Sequence, residues 1–234
     1  MTNGEFDELL KKLQITFNDL SLLKQAFIHR SFLNETKSEL LSNERLEFLG
    51  DSVLSFITST YLYNLRKEDA EGELTSLRAY IVKTKSLAEA AKKLELGKYL
   101  KLSKGEELGG GRANAQLLAN TYEALIGAIF LDQGIETVRD FIHNNLLALF
   151  ESEIKFGPPK DAKSQLQEVV QEKFKQSPLY KILDTKGPDH AKEFVVGVFI
   201  QNEKLGLGKG NNKQEAEEQA AKKALAALEK LKGE

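Results

Sequence analysis

The sequence predicts two parts: an all-α region over residues 1–152, then a small α+β module in the order α-β-β-β-α over 161–234, joined by a linker at 153–160. Three observations carry this reading. Long stretches of residues 5–151 place apolar side chains at helical spacing, and none alternates as a strand should. Pro158-Pro159 cannot continue a helix and marks a break. Beyond it the apolar period turns from helical to alternating and back.

In the first part, Gly, Asn and short polar links separate helices expected at 5–13, 19–28, 43–65, 72–82, 84–95, 113–132 and 134–150. In the second, 161–176 reads as a helix with Leu166, Val169, Val170 and Phe174 on one face. Strands are expected at 180–185, 194–200 and 204–208, the middle one alternating through Phe194, Val196, Val198 and Ile200. The closing helix, 212–232, buries Ala216, Ala220, Ala224 and Leu228, and its small residues let it lie close to a sheet.

Composition narrows the chemistry. No apolar run reaches the length of about 18 residues that a membrane span needs. The acidic start lacks a basic-then-apolar export pattern, so a cytoplasmic protein is expected. Without cysteine there is no disulfide, thiolate metal site or thiol nucleophile. His29, His143 and His190 are scattered, so any metal must be held by carboxylates, which favours a hard cation such as Mg²⁺. The net charge of −2 points to no partner, although residues 1–157 carry −4 and 158–234 carry +2.

The most informative stretch runs from Asn43 to Ser52. On a helix, Glu44, Glu47 and Asp51 (i, i+3, i+7) fall within about 60° of one another. Two carboxylates about 5 Å apart repel by roughly 3 kcal/mol at an effective dielectric near 20, which a cation between them relieves. A second stretch offers Asn120 and Glu123 at i, i+3. Gly50 and Gly127 permit close approach of the two helices, converging four oxygen-bearing side chains in a set suited to Mg²⁺ and phosphoryl chemistry. Spacing alone leaves a solvated acidic face as the commoner alternative.

Glu44 to Asp51 reads ERLEFLGD, which resembles the signature of the ribonuclease III family. His29-Arg30-Ser31-Phe32, Glu71-Gly72-Glu73-Leu74, Leu87-Ala88-Glu89, Gly110-Gly111-Arg112 and Glu123 to Ala128 match further family segments. The resemblance implies an all-α endonuclease domain, followed by an α+β double-stranded-RNA-binding domain. It implies a homodimer that uses Mg²⁺, with Mn²⁺ as a substitute and no small-molecule cofactor. The reaction is cleavage of double-stranded RNA, leaving 5′-phosphate and 3′-hydroxyl ends with short 3′ overhangs, in the processing of ribosomal and other structured RNA. By motif position, Glu47, Asp51, Asn120 and Glu123 are the catalytic metal ligands, with Glu44 in support and Glu71 of little catalytic weight. The family carries Asp where this chain has Asn120. An amide oxygen lacks the charge and cannot bridge two cations, so the alternative is an impaired protein that binds duplex RNA without cutting it.

In the second part the same resemblance assigns RNA contacts to Ser164, Gln167 and Glu168 on the first helix, His190 in a loop, and Lys209 and Lys213 near the last helix. Such domains read duplex shape across two minor grooves. The family's second Lys is Gln214 here, which removes one phosphate contact. Gly206-x-Gly208-x-Gly210 has no parallel βαβ unit around it and is rejected as a nucleotide loop. Gly109-Gly110-Gly111-Arg112 reads equally as a flexible link or an RNA-facing loop, and His29 as structural.

Overall fold

The computed structural model describes residues 4, 6–36, 40–159, 161–188 and 192–230. The chain divides into two compact units, Met1–Pro158 and Pro159–Glu234.

The first unit is helical: α1 (Asp7–Leu13), α2 (Leu20–Ala26), α3 (Arg30–Thr36), α4 (Glu44–Leu65), α5 (Glu71–Val82), α6 (Thr84–Lys93), α7 (Lys104–Leu108), α8 (Ala115–Asn145) and α9 (Glu151–Phe156). Its centre is the pairing of α4 with α8. Leu46, Leu54, Ile57 and Leu62 of α4 are buried with Leu118, Tyr122, Leu125 and Ile129 of α8 in one apolar cluster. Asn114 caps α8, its side-chain oxygen accepting from the Gln116 and Leu117 amides. The break expected between 132 and 134 falls at Gly134, where φ is +81°. Beside it the Asp132 carboxylate accepts from the amides of Asn18 and Asp19 at 2.8 and 2.7 Å and so fixes the entry to α2.

Three short helices depart from the sequence expectation. The helices α3 and α7 bury no residue, so no apolar period announced them. Residues 153–156, expected in the linker, form most of α9, whose Ile154 is buried in the first core. The chain turns away only at Gly157, at φ +87°.

The second unit is α10 (Ala162–Phe174), β1 (Leu179–Lys186), β2 (Glu193–Ile200), β3 (Glu203–Gly210) and α11 (Lys213–Lys230). The strands form an antiparallel sheet in the order β1-β2-β3. Leu166 and Val170 of α10, Val198 and Ile200 of β2, and Ala220, Ala224 and Leu228 of α11 make its core. The glycine alternation on β3 is a packing device. A Cβ at Gly206 would lie 2.1 Å from the Ala220 carbonyl oxygen, and one at Gly208 2.0 Å from that of Ala216. Backbone therefore meets backbone where β3 lies under α11.

Candidate active site

Two glycines set the site. A Cβ on Gly50 of α4 would sit 1.8 Å from the Glu123 carbonyl oxygen of α8, and a Cβ on Gly127 would sit 2.3 Å from the Leu46 carbonyl oxygen. The helices touch through their backbones at this crossing, which brings the α8 turn carrying Glu123 against the α4 turns that carry Glu47 and Asp51.

Their electrostatics record that proximity. Burial, then the charges of Asp51 and Glu47, push the Glu123 carboxyl up to about 7. Glu47 is also raised, first by burial, then by Glu44 and, after an opposing hydrogen bond from the Asn120 amide, by Asp51. Glu47, Asp51, Asn120 and Glu123 thus share one neighbourhood across α4 and α8. None of the ion pairs among the described residues uses Glu47, Asp51 or Glu123. Nor, among those residues, are three or more His, Asp or Glu side chains placed together closely enough to hold an ion by themselves. The donors are three carboxylates and one amide, all offering oxygen, and such a set fits a hard divalent cation.

Glu44 stands one turn from Glu47 and is held from outside. Its carboxylate accepts from Ser42 Oγ at 2.9 Å and faces the Arg30 guanidinium at 3.5 Å. Buried Asn43 fixes the start of α4: its amide N–H donates to the Ile28 carbonyl at 2.8 Å, and its Nδ2 to that of Ala26 at 3.3 Å. His29 is structural, its Nδ1 against Ser31 Oγ at 2.8 Å, with burial holding its pKa below the ordinary value. Arg112 is a clamp within the fold, bonded to Glu107 and to the carbonyls of Gly97 and Lys98. Glu71 is exposed and accepts from Thr75 Oγ1.

In the second unit, Ser164, Gln167 and Glu168 line one open groove along α10. Gln171, Glu172 and Lys175 extend it and continue the i+3/i+4 spacing of the first three, a signal the sequence carried. Ser164 Oγ also donates to the capping carboxylate of Asp161 at 2.8 Å. Lys209 lies 3.8 Å from Glu193 across the sheet. Exposed Lys213 opens α11, where Asn212 accepts from the Glu215 amide and the Glu215 carboxylate accepts from the Asn211 amide. His190 lies outside the described residues.

Comparison with known proteins places both units. The family model described as Ribonuclease-III-like matches residues 19–149, and the double-stranded RNA binding motif matches 162–228. Fold and site together therefore define a helical nuclease joined to an RNA-binding module. Ribonuclease 3 of Oceanobacillus iheyensis is 47% identical over 221 residues, covering 94% of this chain and 96% of that protein. Ribonuclease 3 of Chloroflexus aurantiacus is 47% identical over 226 residues, covering 95% and 91%. A solved structure of the nuclease domain of ribonuclease III from Campylobacter jejuni, described for flexibility in a region involved in dimer formation, aligns with a TM-score of 0.59 at 37% identity, covering 63% of this chain and 99% of that one. The chain belongs to the ribonuclease III family.

Proposed function

We propose that the chain is a double-strand-specific endoribonuclease that hydrolyses phosphodiester bonds with the help of a divalent cation, Mg²⁺ or in its place Mn²⁺. The observation that carries this is the backbone contact at Gly50 and Gly127, which turns Glu47 and Asp51 of α4 toward Glu123 of α8. Glu47, Asp51, Asn120 and Glu123 are the residues that would hold the cation. When bound, it supplies positive charge at the scissile phosphate and eases deprotonation of the attacking water.

The chain's own residues do the rest. The carboxylates bring compensating negative charge, and their partial burial strengthens each interaction relative to water. Glu44, held by Ser42 and Arg30, keeps the first turn of α4 in place beside them. The α10 groove, Lys213 and Lys209 grip the duplex through riboses and phosphates, and His190 joins them from its loop. Water attack then leaves a 5′-phosphate on one fragment and a 3′-hydroxyl on the other. Structured precursors, ribosomal RNA among them, are the expected substrates, met in the cytoplasm.

A homodimer is part of this reading. Phe48, Phe56 and Tyr63 of α4 are 78%, 60% and 73% exposed and follow one another along a single stripe. Three aromatic side chains in solvent on one face mark a surface that a second copy covers.

The deciding experiment incubates a long duplex RNA with the chain and Mg²⁺ or Mn²⁺ and maps the product ends. Staggered cuts with 5′-phosphates are expected, with cleavage lost in Glu123→Gln and with a lower metal midpoint in Asn120→Asp, which restores a charge to the donor set. Duplex binding without cleavage under either metal overturns the enzyme reading and leaves an RNA-binding protein. Equal midpoints for wild type and Asn120→Asp remove Asn120 from the ligand set.

A further inference from the structure

The side-chain oxygen of Asn120 is already engaged. Oδ1 accepts from Gln116 Nε2 at 2.7 Å, one turn earlier on the same face of α8. Glu47 of α4 is an electrostatic neighbour of Asn120. The bond to exposed Gln116 thus occupies the oxygen of a side chain that sits beside the acids.

An amide has one oxygen and one N–H₂ end. The oxygen is the only side-chain atom through which Asn120 could touch a cation, and it faces Gln116. An aspartate at 120 could accept from Gln116 with one oxygen and still offer the other to the ion.

Resting on the reading of Glu47, Asp51, Asn120 and Glu123 as metal ligands, we propose that Gln116 is a positioning residue that sets the divalent-cation affinity of this chain. It holds the one cation-binding oxygen of Asn120 outward, so that the ion competes with Gln116 for it. Loading requires the Gln116–Asn120 bond to break and the amide to turn its oxygen inward. Gln116 acts only through Asn120. It lies on the exposed side of the first turn of α8, where an unbranched replacement keeps the helix.

The test is binding of Mn²⁺ alone to the full chain without RNA, followed by electron paramagnetic resonance of the free ion. Wild type, Gln116→Met, Gln116→Ala and Glu123→Gln are compared. Both Gln116 variants are expected to bind Mn²⁺ roughly 3- to 10-fold more tightly, the equivalent of one net hydrogen bond, while melting like wild type in the absence of metal. Glu123→Gln is expected to lose most of the binding. Unchanged or weaker binding in either Gln116 variant, with Glu123→Gln still impaired, overturns the role of Gln116 and leaves the metal site standing. Wild-type binding by Glu123→Gln overturns the metal site itself, and the role of Gln116 with it.

Discussion

Asp161 shows how much one side chain organises. It caps α10, accepting from the Ser164 amide and hydroxyl at 2.9 and 2.8 Å. These bonds hold its carboxyl below the ordinary aspartate value of 3.8. A carboxyl depressed in the folded state adds stability above its unfolded pKa and loses it as pH falls through the folded one. Asp161→Ala should therefore destabilise the second unit by about 1 kcal/mol at pH 7. The difference should vanish at a pH below the folded value. Melting curves of both proteins at the two pH values check this; an equal gap at both would detach the cap from the charge. At this scale the sequence was legible where chemistry is local. The acid spacing and Asn120 could be read directly. The Gln116–Asn120 bond is an i, i+4 pair, but its place beside Glu47 depends on the distance between two helices, which spacing along one chain does not give.

Among the elements, the α4–α8 pair carries the site. Gly50→Ala places a methyl group 1.8 Å from the Glu123 carbonyl oxygen, so the helices must separate. The expected cost is about 3 kcal/mol, seen as a lower melting temperature, together with weaker cation binding because Glu47 and Asp51 retreat from Glu123. A stable Gly50→Ala protein with wild-type binding would show that the contact is not what assembles the acids. The long helices and β2 were readable because each buries an apolar face of its own period, and β3 announced its glycines, whereas β1 is exposed along its length except at half-buried Tyr180. The helices α3 and α7 bury nothing, so their sequences carry no period to read. The Pro-Pro pair drew the linker too early, since Ile154 joins the first core.

Across the whole molecule, the exposed aromatic stripe of α4 is the surface on which the proposed dimer rests. Phe48 belongs to the most recognisable stretch of the sequence yet points away from the core. Burying it against a second copy removes a large apolar surface from water. Phe48→Glu should shift the protein from dimer to monomer in light scattering at micromolar concentration, leaving the helical signal intact. A monomeric wild type under the same conditions would refute the assembly. This surface was only partly legible, because helical spacing shows which residues share a face but not whether solvent or protein covers it.

The central claim is that Glu47, Asp51, Asn120 and Glu123 hold a divalent cation between α4 and α8, and crystals soaked in Mn²⁺ address it most directly. Anomalous density beside Glu47, Asp51 and Glu123 is the predicted result. Saturating Mn²⁺ with no density there, or density only at other acids, would contradict it.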